Sequence, residues 1–306
     1  MKIFNRPALT LALLGAALAD CPVADALKHQ SASRSESQDS AALAARLEQA
    51  RKTADQGDTE AALAAYRKIS ADFGGVFEAD YAIAWLEAKR GAWKSALDAL
   101  EKALPQVPQR ELGPAHELMG QIRYQLKDYE SAAAEWQIAT EYLPQNDGLR
   151  FQLGTLYEEL GPQRLPQAVA VLEEAVALVP DRARYRLELG FVYENLGRMD
   201  QARKEYQRGA ALIPQMPHAW ARLGALEARL EENEPAEQHL RRALQVDPDF
   251  ILALFQLGNL LRRQGKLEEA RPYLERFDQL RKAARSNSPT ERGMGGSTEL
   301  KRDPPS

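Results

Sequence analysis

The side chains best suited to acid–base, metal or nucleophilic chemistry are few: four histidines, His29, His116, His218 and His239, and a single cysteine, Cys21. A metal site on a helix needs ligands one turn apart. No two of these histidines are four residues apart, and His116, His218 and His239 have no carboxylate at that spacing either. They read as isolated surface histidines. One cysteine excludes a disulfide framework, a zinc ribbon and a CxxC redox site, all of which need at least two thiols. No GxSxG elbow, HExxH helix or EF-hand loop occurs, and Asn146-Asp147-Gly148 reads as a turn. Gly293-Met294-Gly295-Gly296-Ser297 lacks the Lys-Ser/Thr ending of a phosphate loop. The expectation is a protein with no catalytic residues, no metal site and no cofactor, and hence not an enzyme.

Charge narrows the choice of partner. Across 306 residues, 40 Lys+Arg stand against 44 Asp+Glu. A phosphate backbone is bound through an excess of cations, which this chain lacks, so nucleic acid is not expected as a partner. Glu and Arg three or four residues apart are frequent and read as solvated helix faces.

The elements that must position a function fall into four stretches. In the first, 1–20, Lys2 and Arg6 precede an apolar run from Ala8 to Ala19, the layout of a secretory signal peptide. The run is shorter than the roughly 20 residues needed to cross a bilayer. Leu18-Ala19-Asp20-Cys21 resembles a bacterial lipobox, which implies lipid attachment at Cys21, although Asp20 stands where that pattern has a small residue. Ordinary cleavage after Ala19 or after Ala26 is the alternative. Residues 21–42, with Ser31-Ala32-Ser33-Arg34-Ser35-Glu36-Ser37, read as a flexible polar tether, and 285–306 as a disordered tail.

Between them, residues 43–284 repeat. The same register returns at Leu43, Phe77, Gly113, Asp147, Ala183, Pro217 and Ile251, at intervals of 34, 36, 34, 36, 34 and 34. The segments are 43–76, 77–112, 113–146, 147–182, 183–216, 217–250 and 251–284. A fixed period of this size indicates a stacked solenoid. Position 8 of each segment is Gly or Ala and position 20 is Ala, as a close helix crossing requires. Glycine at position 15 (Gly57, Gly91, Gly161, Gly197, Gly265) ends a first helix, and proline at position 32 ends a second.

Arg150-x2-Leu153-Gly154-x2-Tyr157, then Ala168-x3-Leu172 and Pro180, is one copy; Arg186-x2-Leu189-Gly190-x2-Tyr193, then Ala202-x3-Tyr206 and Pro214, is another. Trp220-x2-Leu223-Gly224 opens a third. This pattern resembles the tetratricopeptide (TPR) repeat family. The resemblance implies an all-α fold, a right-handed superhelical solenoid of about seven tandem helix-turn-helix repeats.

In TPR proteins the concave groove is lined by first-helix positions 2, 5, 6, 9 and 13, which lie opposite the packing face at 4, 7, 8 and 11. Carried onto this chain, the groove is lined by Tyr81, Trp85, Leu118, Phe151, Leu187, Phe191, Leu252 and Phe255, with Asn259 beside them. Its charges change sign along the chain: Glu117, Glu159 and Glu188 come first, then Arg222, Arg229 and Arg263. The Lys/Asn clamp of chaperone-binding TPR proteins is absent, since positions 5 and 9 are Leu47 and Arg51, then Tyr81 and Trp85. The expected function is a non-catalytic scaffold or assembly factor of the bacterial cell envelope that holds a partner protein's peptide or helix. It would be exported to the periplasm, touching membrane only through a lipid on Cys21. The alternatives are an enzyme subunit with an unrecognised site, and self-association through Tyr273, Leu274 and Phe277.

Overall fold

The computed structural model describes residues 34–286. Among them are fourteen α-helices and no strand. The proposed signal peptide, Cys21, most of the tether and most of the tail lie outside the described residues. The helices fall into two compact units that divide between Leu156 and Tyr157.

Unit 1 holds α1 (Arg34–Asp55), α2 (Thr59–Asp72), α3 (Phe77–Lys89), α4 (Trp93–Ala103), α5 (Leu112–Gln125), α6 (Tyr129–Tyr142) and most of α7 (Asp147–Glu159). Unit 2 continues with α8 (Leu165–Leu178), α9 (Ala183–Asn195), α10 (Met199–Leu212), α11 (Pro217–Arg229), α12 (Asn233–Val246), α13 (Ile251–Arg263) and α14 (Leu267–Ser286). One boundary departs from the sequence reading: α1 begins at Arg34, inside the stretch expected to be a flexible tether. Ala41, Ala42, Leu43, Ala44 and Ala45 are strong helix formers, and a nucleated helix extends upstream at little cost. Leu43 and Leu47 anchor α1 against a core that includes Leu63, Tyr66 and Ile69 of α2.

Four hairpins, α5–α6, α9–α10, α11–α12 and α13–α14, are closed by a small residue facing a large one. A Cβ added at Gly190 would stand 2.7 Å from the Tyr206 ring, and one at Gly224 would stand 2.8 Å from Leu240 and 3.0 Å from the Ala236 carbonyl. At Gly258 it would meet Leu274 at 2.6 Å, and at Gly120 it would strike the Trp136 indole. Positions 8, 20 and 24 of the repeat are therefore one contact. The residue at 24 fills the space that the missing side chain at 8 leaves, over a backbone approach at the alanine of 20. Trp136 also donates Nε1–H to the Glu117 carbonyl, 3.1 Å away.

Neighbouring hairpins are tied by a second recurring pair, between position 11 of one segment and position 25 of the segment before. Arg67 donates to Glu87, Arg123 to Glu101 at 3.2 Å, and the Tyr193 hydroxyl to Glu173. Glu87 is wholly buried and is held on its other oxygen by Arg90 at 2.6 Å. Burying a carboxylate is costly unless it is paired in this way.

Turns inside the hairpins need a left-handed residue. Gly57, Gly91, Gly197 and Gly265 take φ between 74° and 87° there, and Asp58 caps the helix that follows by accepting from the Ala61 amide at 3.0 Å. At the same place in the α5–α6 and α11–α12 turns stand Lys127 and Glu231, with φ of 65° and 63°.

Candidate functional site

The inner faces of the first helices carry the residues singled out from the sequence, and the two units differ in what they expose there.

In unit 1 the face is largely closed. Leu118 and Phe151, expected to line a groove, are only 7% and 6% exposed. Leu118 packs with Ala84, Ala88 and Leu100, so position 6 of α5 turns into the contact with the preceding hairpin instead of into solvent. Trp85 is half-buried and touches the apolar clusters on both sides of α3, with the Lys89 ammonium 5.2 Å from its ring centre. It is chiefly a packing residue. Tyr81 is half-buried beside Phe77, with ring centres 5.4 Å apart. Glu117 is half-buried and accepts a hydrogen bond from the Asn146 amide at 3.3 Å; burial pushes its carboxyl above the usual range, and the Asn146 bond only partly offsets this.

In unit 2 the face is open and charged. Phe191 of α9 is half-buried, and the Arg222 guanidinium of α11 stacks 4.3 Å from its ring centre. Such a contact holds an arginine flat against an aromatic face. Beside it, Glu194 is fixed from two sides: the buried Tyr206 hydroxyl donates to one oxygen at 2.8 Å and Arg229 to the other at 2.8 Å. Burial first, and then the Glu194 charge, drive the Tyr206 phenol far above its ordinary value, so it stays a donor. Arg263 of α13 donates to the Ala228 carbonyl at 3.3 Å and is otherwise exposed. Phe255 is 41% exposed and rests on Phe277 of α14, with ring centres 5.0 Å apart. Asn259 is spent on its own helix, donating to the Phe255 carbonyl at 2.9 Å. Leu187 packs on Gly209 of α10, where an added Cβ would stand 3.0 Å from it, so it belongs to the hairpin core. Glu188 is half-buried and Glu159 exposed. Tyr273 and Leu274 pack onto the core formed by α11, α12 and α13.

Two histidines depart from expectation. His116 Nδ1 lies 2.7 Å from Glu135, and His239 Nδ1 lies 2.7 Å from Glu227 while stacking on Trp220 with centroids 5.5 Å apart. Neither is an isolated surface histidine. The partners lie 19 and 12 residues away across the hairpin, where no search at one-turn spacing finds them. His218 tilts against Phe250 at 5.7 Å. Among the described residues no group of three or more His, Cys, Asp or Glu could hold a metal ion, and no helix is long and apolar enough to cross a membrane.

Comparison with known proteins bears on these helices directly. A family model of the tetratricopeptide repeat matches residues 47–111, and one of the cilia and flagella-associated protein 70 middle TPR-like domain matches residues 187–294. No curated protein matches. Among solved structures, the C-terminal part of a TPR repeat-containing protein from Cytophaga hutchinsonii is similar over 80% of this chain and 96% of its own, with 14% identity and a TM-score of 0.60. YrrB, described as a TPR protein with an unusual peptide-binding site, is similar over 62% of this chain and 96% of its own, with 23% identity and a TM-score of 0.55. PilF of Pseudomonas aeruginosa is similar over 67% and 91%, with 21% identity and a TM-score of 0.52. At these identities the likeness is one of fold. With family models matching in both units, and with hairpins closed by the small-residue contact that the repeat pattern encodes, the chain is a tetratricopeptide-repeat protein.

Proposed function

We propose that this protein is a non-catalytic scaffold that holds a peptide or helix of a partner protein on the inner face of its first helices, chiefly in unit 2. The observation that carries the reading is the pair of phenylalanines left accessible there, Phe191 under Arg222 and Phe255 against Phe277. On α5 and α7 the large side chains of this face, Leu118 and Phe151, are taken into the core, so aromatic surface left open in unit 2 is available to a partner. The peptide-binding site named for YrrB supports a peptide ligand for this fold. We further propose export to the cell envelope, from the layout of residues 1–20, with a lipid on Cys21 as the means of retention.

The test is photocrosslinking in the native cell, with the probe at position 191 or 255 and a control at Glu174 on α8. Capture of the same protein from both inner positions and not from 174 is the expected result. Capture from 174 alone would overturn the assignment of the inner face.

A further inference from the structure

The segments that begin at Ala183, Pro217 and Ile251 are spaced by 34 residues each, so equivalent positions on α9, α11 and α13 can be compared row by row. Where α9 places Leu187 and Phe191 and α13 places Phe255 and Asn259, α11 places Ala221 and Ala225, with Ala228 one turn further along. Ala221 and Ala228 are buried and Ala225 is partly open. Helices α11 and α13 pack directly on one another, and Arg222 brings α11 against Phe191 of α9. The middle helix of this face is therefore one side chain lower than its neighbours. The result is a shallow apolar depression at Ala225, with Phe191 and Phe255 to either side, above the buried Ala221 and Ala228 of the core.

The rim of this depression is basic, in a chain whose acidic residues outnumber its basic ones. At the inner-face positions of the three helices, including position 12, stand Arg184, Arg222, Arg229, Arg262 and Arg263, against Glu188 and Glu194 alone. Glu194 is already committed to Tyr206 and Arg229. Arg263 meets a neutral carbonyl, and Arg262 is exposed, so neither guanidinium is matched by a carboxylate among the described residues. The last turn of α13 favours cations, which accounts for tolerance of the pair there. Arg229, the last residue of α11, is favoured in the same way, but helix polarity does not account for Arg222 in the middle of that helix.

We propose that this face takes an acidic segment of a partner protein, seating one apolar side chain in the alanine depression between Phe191 and Phe255 and pairing its carboxylates with Arg222, Arg262 and Arg263. The proposal rests on the reading of the inner face as the partner site and adds the chemistry of what binds. A neutral segment would cover these guanidiniums without matching their charge, which is costly. A basic segment would be repelled on approach.

Fluorescence anisotropy on the full chain tests it, with a fluorescein-labelled peptide composed of Glu, Leu and Phe and a counterpart in which every Glu is Lys. The acidic peptide is expected to bind at least about tenfold more tightly than the basic one. Its affinity should fall as salt rises from about 0.05 to about 0.5 M, as screening of exposed charges requires. Arg263→Glu should weaken binding about tenfold, and Ala225→Trp, which fills the depression, should weaken it without changing charge. Circular dichroism melting checks that each variant folds; Arg263 is exposed, so its reversal serves if Ala225→Trp does not. Equal binding of the two peptides, or no effect of Arg263→Glu, would overturn the proposal. In the crosslinking experiment, a captured segment that is neutral or basic, or a second copy of this chain, would overturn the acidic ligand and leave the inner-face site standing. Capture from position 174 alone would remove both.

Discussion

At the turn inside each hairpin the backbone enters the left-handed region, and two turns do so with a side chain in place, at Lys127 and Glu231. An L-residue there costs about 1–2 kcal/mol, of which glycine would return some as unfolded-chain entropy. Glu231→Gly should therefore stabilise the protein by about 0.5–1 kcal/mol, read as a shift in the urea midpoint; a loss of stability would mean that Glu231 makes a contribution its exposed position does not reveal. Glu117 offers a test with the opposite logic. Burial raises its carboxyl pKa in the folded protein above the unfolded value of about 4.3, so ionising it costs stability. The penalty is full above the folded pKa and vanishes once pH falls below the unfolded one. Glu117→Gln should raise the melting temperature at neutral pH, and the gain should shrink toward zero in acid; a gain that held or grew in acid would contradict this. These two residues also mark what periodicity can convey. It gives the angle of Glu117, Leu118 or Phe151 around a helix, but not what stands opposite. That is why Leu118 and Phe151 read as groove residues and are buried, and why the partners of His116 and His239 were invisible.

Within a hairpin, the small residue at position 8 was legible because its cause is local: two helices cross there, and only Gly or Ala fits. The structure adds that the spaces differ. Ala84 is accommodated with no exposure, whereas a methyl group at Gly224 would stand 3.0 Å from a backbone carbonyl that cannot rotate away. Alanine gains about 1 kcal/mol of helix propensity over glycine, but overpacking costs about 1–3 kcal/mol. Gly224→Ala should thus lose about 1 kcal/mol or more. Gly258→Ala should lose less, because its closest neighbour is the flexible end of Leu274. Chemical denaturation of the two variants orders them, and the reverse order would place the rigid contact in the other hairpin. Helix ends were read less well, since they depend on what the flanking turn packs against. α1 runs upstream to Arg34, and α14 carries Pro272 in its interior. Proline in a helix interior is about 3 kcal/mol worse than alanine. Pro272→Ala is expected to stabilise α14.

Within each unit, helices pack on their neighbours in sequence or one beyond: α2 on α3, α4 on α5 and α3 on α5 in unit 1, and α10 on α11, α12 on α13 and α11 on α13 in unit 2. No described contact needs a distant part of the chain to be folded first. Stability in such an array is a sum of hairpin terms and nearest-neighbour terms, so a local defect should be felt locally. Gly224→Ala provides the defect at the α11–α12 crossing. Native-state hydrogen exchange of the variant should show faster exchange through α11, α12 and α13, whose shared core includes Ala221, Leu240 and Leu257. Amides of α2, α3 and α4, which belong to the core around Leu63 and Ile69, should keep their protection. If instead all helices lost protection by the same factor, the chain would be opening as one cooperative body and the nearest-neighbour account would fail. The distinction matters for binding: a ligand held on α9, α11 and α13 should, by linkage, restore protection to those helices first. The same exchange experiment with the acidic peptide added would then show which helices hold it.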